Sequence, residues 1–273
     1  MRRVVVAVVL LAVVAAVVGL VREARSSGPP ATAGAAGAST SAAAPSSSAP
    51  ATTSSSPSAP PAASSAPTPA ATSAAPTFDR TQLSVDDPAS LWVVVDKARP
   101  LSPIDFAPTD LVPIGGGYEL RAEAASAMEA MLAAAASDGL TITVQSAYRS
   151  YDYQVGLFQA QVARFGEERA EVQVARPGYS EHQTGLAADV GGGGCDIESC
   201  FATTAEGQWV AANAARFGFL VRYPDGKTDV TGFRYEPWHV RYVGVPLATE
   251  LQRTGTATLE EFFGLPAAPD YVR

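Results

Sequence analysis

The chain has 273 residues, of which 19 are Lys or Arg and 27 are Asp or Glu, so its formal net charge at pH 7 is −8. An acidic protein argues against nucleic acid or anionic lipid as the main partner, because both are negatively charged themselves. The chain contains only two histidines and two cysteines, so any site built from these residue types has few candidates.

The first predicted element is an apolar segment. Residues 4–21 carry no charge, and Arg2 and Arg3 precede them. A run of this length is near the lower limit for a membrane-spanning helix, and it is longer than the usual apolar core of a signal peptide. We expect a signal anchor over residues 1–25, with a cleaved signal peptide as the alternative. Under either interpretation the rest of the chain is exported.

The next segment, residues 26–78, carries no charge and consists almost wholly of Ser, Ala, Pro, Thr and Gly. Such a segment cannot bury enough apolar surface to offset the entropy of ordering, so we expect a disordered linker. The folded domain is therefore predicted over residues 79–273. It contains 15 basic and 26 acidic residues, a formal charge of −11, which strengthens the argument against nucleic acid.

Helical and strand patterns follow one another irregularly within this domain. Apolar residues at helical spacing predict helices over residues 118–140, 150–166 and 205–219. Short β-rich runs predict strands over residues 141–146, 185–190, 219–223 and 232–243, the last of which contains a proline, Pro237, that must lie at an edge, a bend or a bulge. Helices and short strands without a regular βαβ alternation predict an α+β domain.

The two cysteines, Cys195 and Cys200, lie in a predicted loop that begins with four glycines. Outside the cytoplasm a disulfide that closes a short loop is the default state of such a pair. Free thiols and a metal-bound pair are the alternatives.

Both histidines occur near carboxylates. His182 lies seven residues before Asp189, and Glu236 lies three residues before His239. A catalytic zinc commonly takes three His, Asp or Glu ligands and keeps a fourth position for water, so two histidines and one aspartate would suffice. The remaining carboxylate could then act as a general base. Spacing alone leaves open that all four are ordinary structural residues.

Three motifs narrow these alternatives. The segments SAYRSYDYQ (146–154), YSEHQTGLAADV (179–190) and EPWHVRYVG (236–244), in this order, resemble the signature segments of VanY-type D-alanyl-D-alanine carboxypeptidases. These enzymes belong to the zinc metallopeptidase superfamily that also contains lysostaphin-type and dipeptidase-type wall enzymes. The resemblance covers about residues 90–255, and no motif position departs from the pattern.

The resemblance implies a role for each motif residue. His182, Asp189 and His239 would bind Zn²⁺, Glu236 would be the catalytic base, and Arg149 would stabilise the oxyanion. Ser180 and Gln154 are candidates for contacts to substrate, with a hydrogen bond that holds His182 as the alternative for Ser180. Trp238 is a candidate for the wall of the substrate pocket, with a position in the core as the alternative. The implied fold is a small antiparallel sheet with packed helices and a zinc groove over the sheet.

The implied reaction is the release of terminal D-Ala from peptidoglycan stem peptides. The apolar segment and the linker predict that the enzyme is membrane-anchored or secreted, in the zone of the bacterial cell wall, and a monomer is the default expectation. One alternative is an endopeptidase of the same superfamily that cuts wall peptides internally. Another is a wall-binding module without catalytic activity, which intact Glu236 and Arg149 argue against, because binding alone needs no base.

Overall fold

The computed structural model describes residues 78–272. The predicted anchor over residues 1–25, and the predicted linker over 26–78 apart from its last residue, lie outside this range. Within it, no helix combines the length and the apolar character that a bilayer crossing would require.

The strands form one antiparallel sheet and a separate hairpin. The described residues contain seven strands: β1 (Leu111–Pro113), β2 (Glu119–Arg121), β3 (Thr143–Ser146), β4 (Ala187–Gly192), β5 (Cys195–Asp196), β6 (Phe219–Tyr223) and β7 (Glu236–Tyr242). The main sheet has the order β3-β4-β7-β6, with β5 paired to the end of β4, while β1 and β2 pair with each other. The predicted α+β class with a small antiparallel sheet is confirmed.

Helices pack around this sheet. In the described range they are α1 (Ala122–Ser137), α2 (Tyr151–Phe165), α3 (Glu167–Glu171), α4 (Ala205–Asn213), α5 (Thr228–Thr231), α6 (Val245–Thr254) and α7 (Leu259–Phe263), with 3-10 turns at Glu181–Thr184, Ser199–Thr203 and Ala214–Phe217. The strand predicted over 219–223 has the predicted bounds. The helix predicted over 118–140 begins later, because residues 119–121 pair as β2 instead.

Alternation along β4 separates the core from the site. Ala188 and Val190 are fully buried and belong to the same apolar cluster as Met128 and Met131 of α1. Successive side chains of a strand point to opposite faces, so Asp189, between these two, points away from that cluster.

A bulge in β7 determines the direction of the Glu236 and His239 side chains. Val221 of β6 pairs with Val240 of β7, but Tyr223 pairs with Glu236, so two residues on β6 oppose four on β7. The extra residues include Pro237, which has no N–H to donate, and β7 lies between β4 and β6 rather than at an edge. The bulge breaks the alternation of β7, and Glu236 and His239 both reach the same groove although they lie three residues apart.

Candidate active site

A groove of about 650 Å³ lies over the sheet where β3, β4 and β7 meet. Seven of the residues singled out in the sequence line it: His182, Asp189, His239, Glu236, Arg149, Ser180 and Trp238. The three signature segments, separated along the chain, therefore converge on one cavity.

The two histidines and Asp189 come together at the base of this groove. Asp189 of β4 is the direct cross-strand partner of His239 of β7, which places their side chains next to each other. Asp189 Oδ1 lies 3.3 Å from His239 Nδ1, and its Oδ2 lies 3.3 Å from His182 Nε2. One ligand atom from each residue can be chosen so that all three lie within 4.8 Å of one another.

The 3-10 turn before β4 positions His182. Gly185 ends this turn with φ +67°, a left-handed conformation that glycine adopts without strain, and a Cβ there would lie 2.9 Å from Arg121 Cγ. His182 Nδ1 donates a hydrogen bond to the carbonyl of Ala147 at 2.7 Å, since a carbonyl can only accept. The lone pair of Nε2 therefore faces the groove, where this buried atom has no hydrogen-bond partner among the described residues.

His239 is oriented from its other side by Glu181. Its Nε2 lies 3.4 Å from Glu181 Oε2, which leaves Nδ1 directed at Asp189 and the groove. A second hydrogen bond of this kind fixes the tautomer and the ring orientation of a metal-binding histidine. The two histidines would thus use different ring nitrogens, Nε2 of His182 and Nδ1 of His239.

Glu181 is itself part of a buried network of charges. Its Oε1 accepts hydrogen bonds from Arg222 Nε at 2.8 Å and from Arg241 Nη1 at 2.6 Å. Arg222 also forms a two-pronged ion pair with Glu260, at 2.6 and 3.0 Å. All four side chains are buried, and two carboxylates balance two guanidinium groups. Their mutual pairing compensates for the loss of hydration.

Electrostatics set the protonation states of the three candidate ligand groups in the metal-free site. Burial opposes ionisation of Asp189, but the adjacent His182 and His239 hold the pKa of this carboxyl well below its usual range. Burial and the positive charge of Arg149 lower the pKa of His182 to about 4, so its imidazole is neutral at pH 7. For His239, burial favours the neutral form, but hydrogen bonds to Asp189 and Glu181 outweigh it and raise its pKa to about 9.

Glu236 has the opposite environment from Asp189. Burial raises the pKa of its carboxyl to about 7, and the nearby charge of Asp189 adds to this effect. Its Oε2 lies 3.9 Å from His239 Nδ1, which places the carboxylate beside the ligand cluster rather than within it. A carboxyl group whose pKa is near neutrality can accept a proton and later donate it, as a general base and acid must do.

Arg149 supplies positive charge to the same groove. It is half-buried, burial lowers its pKa, and its Nε has no hydrogen-bond partner among the described residues. Its backbone N–H donates to the carbonyl of His182 at 3.2 Å, so the two motifs are joined directly. A guanidinium held in this way can stabilise negative charge that develops on a substrate oxygen.

The three predicted substrate contacts differ in position. Ser180 and Trp238 are nearly fully buried and line the groove, and Arg234 lies over the Trp238 ring at 5.3 Å. Gln154 is fully buried and does not line the groove; its amide nitrogen donates to the carbonyl of Ala175 at 2.8 Å. A substrate contact by Gln154 therefore stays a prediction, while the structure places this side chain behind the groove wall formed by Ala175.

Sequence reasoning missed the residues that hold His239. Glu181 adjoins His182 within the second motif, and Arg241 follows His239 by two residues on β7, so their positions in the motifs could have suggested them. Nothing in the sequence marks Arg222 or Glu260, which come from β6 and α7. The predicted disulfide between Cys195 and Cys200 is present, with Cα atoms 5.9 Å apart.

The donor set fits zinc. Two imidazoles and one carboxylate from buried, hydrogen-bonded positions are a common set of ligands for a catalytic zinc site with one position left for water. The orphaned Nε2 of His182 is the direct observation in favour, because a buried acceptor without a partner is costly unless a ligand satisfies it.

Comparisons with known proteins agree with this arrangement. The family model for VanY, D-alanyl-D-alanine carboxypeptidase, matches residues 117–245. YodJ of Bacillus subtilis (strain 168), which is named as a carboxypeptidase, is 40% identical over 191 residues, which cover 66% of this chain and 69% of YodJ.

Two solved structures are similar to this chain in both sequence and fold. The LdcB LD-carboxypeptidase is 41% identical with a TM-score of 0.60, and the match covers 65% of this chain and 87% of LdcB. A variant of the vancomycin resistance D,D-pentapeptidase VanY, solved in complex with Zn(II), is 32% identical with a TM-score of 0.56, and the match covers 63% of this chain and 98% of that protein.

Proposed function

The chain belongs to the VanY family of carboxypeptidases, and we propose that it releases the terminal D-Ala of peptidoglycan stem peptides at a zinc site formed by His182, Asp189 and His239. The observation that carries this proposal is the convergence of these three side chains beside Glu236 and Arg149 in one groove. The family description names D-alanyl-D-alanine as the substrate of its members.

Each residue has a chemical task in this reaction. Bound zinc would polarise the scissile carbonyl and lower the pKa of a water molecule. Glu236 takes a proton from that water and passes it to the amine of the departing D-Ala. Arg149 stabilises the negative charge that develops on the carbonyl oxygen, and a preorganised cation in a buried site is effective at this because it needs no reorganisation.

The proposal includes a location outside the cytoplasm. An apolar N-terminal segment followed by an uncharged linker would place the domain outside the cytoplasm, near the wall peptides that it would cleave. We propose that the enzyme acts there as a monomer. Its acidic charge is consistent with a peptide substrate rather than with nucleic acid.

The test is a defined stem pentapeptide ending in D-Ala-D-Ala. The wild-type protein with zinc should release one free D-Ala, detected by mass spectrometry, whereas Glu236→Ala should retain bound zinc and lose turnover by a factor of about 10³ or more. Release of internal fragments alone would identify an endopeptidase instead. Full activity of Glu236→Ala would remove this residue from the mechanism.

A second candidate is cleavage of the L,D bond of a stem tetrapeptide. The similarity to the LdcB LD-carboxypeptidase, at 41% identity, favours it. Both reactions release a terminal D-Ala, so the same ligands, base and cation would serve. Comparison of kcat/KM for the tetrapeptide and the pentapeptide separates the two, and zinc binding without cleavage of either peptide would support a wall-binding module.

A further inference from the structure

A short disulfide-closed loop forms one edge of the catalytic groove. We call residues 195–200 the lip. Its ends are anchored by the disulfide between Cys195 and Cys200 and by the buried side chain of Phe201, which follows it directly. Asp196 packs over the backbone of Gly191, where a Cβ would lie 2.1 Å from its Oδ1. These contacts hold the lip in one position against the end of β4.

Strand pairing places the lip next to the catalytic base. β3 pairs with β4 as far as Gly191, so β5, which also pairs with Gly191, must lie on the other side of β4, the side of β7. β7 pairs with β4 only as far as Asp189, opposite His239. If β7 continued to pair with β4 in the same register, Pro237 would lie opposite Gly191. Asp196 of β5 takes that position instead. The lip therefore lies beside the first residues of β7, which include Glu236.

Ile197 is the tip of the lip and has two unusual features. It is a β-branched residue at φ +52°, in the left-handed region that such residues avoid. Its side chain is 39% exposed and lines the groove. Tyr153, another exposed large apolar side chain on the groove wall, comes from α2. An apolar side chain held in an unfavourable backbone conformation at a binding groove indicates a role in that groove.

We propose that Ile197, fixed by the disulfide of the lip, packs against the methyl group of the terminal D-Ala that the enzyme releases. This inference rests on the proposed function. In that mechanism Glu236 donates its proton to the departing amine, so the released residue must lie on the Glu236 side of the scissile bond, where the lip is. The contact makes the lip a specificity determinant that distinguishes D-Ala from glycine, which lacks the methyl group.

The experiment compares two peptides that differ only in their last residue, D-Ala or Gly, in the peptide length that the wild-type protein cleaves. The ratio of their kcat/KM values measures recognition of the methyl group. We expect Ile197→Gly to lower this preference about fourfold, the effect of removing one methyl group from an apolar contact. Glycine adopts positive φ freely, so this variant should keep the fold and its bound zinc.

Two further variants complete the test. Leu83→Gly removes an exposed apolar side chain outside the groove and should keep the wild-type preference. Cys195→Ser with Cys200→Ser removes the tether of the lip and should lower the preference as Ile197→Gly does. Wild-type protein that releases neither residue would overturn the proposed function, whereas release with an unchanged preference in Ile197→Gly would overturn this inference alone.

Discussion

Individual residues in this site derive their properties from partners that the motifs do not display. His182 and His239 have the same side chain, but the Ala147 carbonyl fixes one ring and the Glu181 carboxylate fixes the other. Burial outweighs the nearby positive charges of Arg234 and Arg149 and raises the pKa of Glu236, whereas Asp189 between two imidazoles has a lowered pKa. The same kind of group is thus suited to bind a metal at one position and to act as a base at another.

The Glu181 contact leads to a prediction about metal affinity. Glu181→Gln keeps the shape of the side chain but removes the charge that orients His239, so zinc should bind about 10- to 100-fold more weakly, as measured by competition with a chelator. The control is Glu260→Gln, which also disturbs the buried pairing of Arg222 but does not touch His239. Both variants should lose stability, but only Glu181→Gln should lose zinc affinity. An equal loss of zinc affinity in both variants would show that Glu181 has only a structural role.

The raised pKa of Glu236 makes the stability of the metal-free protein depend on pH. Its carboxyl binds a proton more readily in the folded state, with a pKa of about 7 against an ordinary value of 4.5, so folded stability decreases as pH rises from 4.5 through 7. Glu236→Gln cannot ionise and should gain up to about 3 kcal/mol relative to wild type between pH 5 and pH 8. Urea unfolding at both pH values measures this.

The surface variant Glu129→Gln on α1 is the control for that measurement, because its side chain is exposed. A stability difference between Glu236→Gln and wild type that stays constant from pH 5 to pH 8 would contradict the assignment.

At the scale of elements, the ends of helices and strands position the chemistry. Arg149 directly precedes Ser150, which is the N-cap of α2. The Ser150 hydroxyl accepts a hydrogen bond from the Tyr153 N–H at 3.2 Å. This cap fixes where the helix begins and therefore where Arg149 leaves the backbone. The guanidinium of Arg149 reaches the groove because Arg149 lies just before the start of a helix, and not because of its residue type alone.

Ser150→Ala should therefore affect both stability and catalysis. Loss of an N-cap costs about 1 kcal/mol, and the frayed first turn should lower kcat/KM several-fold by loosening Arg149. Thr204→Ala is the matched control, because Thr204 caps α4 in the same way at 3.0 Å but does not line the groove. The Thr204→Ala variant should lose a similar amount of stability, and its kcat/KM should not change. Equal losses of kcat/KM in both variants would refute this coupling.

Some elements were predictable because local pattern and tertiary pairing agree. The run FLVRY forms β6 with the predicted bounds, and helix α2 differs by one residue at each end from the predicted range 150–166. The predicted loop over residues 191–200 instead contains the last two residues of β4, all of β5 and the start of a 3-10 turn. β5 has only two residues, and it forms because they pair with the end of β4. The local sequence of β5 does not indicate this pairing.

At the scale of the whole molecule, the site joins β4, β7 and the 3-10 turn before β4, so metal binding should stabilise the entire fold. Zinc should bind the native site and not the unfolded chain, and at a concentration 1,000 times Kd it would contribute about 4 kcal/mol. Removal of zinc by a chelator should therefore lower the unfolding temperature by about 10 °C. Addition of zinc should restore it.

His182→Ala, which lacks one of the three proposed ligands, serves as the comparison. Its unfolding temperature should not respond to the chelator, as measured by calorimetry of the full chain. A shift of equal size in this variant would show that the chelator acts elsewhere than on this site.

The sequence by itself determined the fold class and the three motifs, and it singled out the candidate ligands and the candidate base, because residue type, rarity and order are properties of the chain. The expected anchor and linker also rest on it alone. Only the tertiary structure decided which ring nitrogens face the groove, that Arg222 and Glu260 support Glu181, that Gln154 lies behind the wall and that Ile197 borders the groove. Those facts depend on strand register and on contacts between residues far apart in the chain, which burial and geometry fix only once the chain is folded.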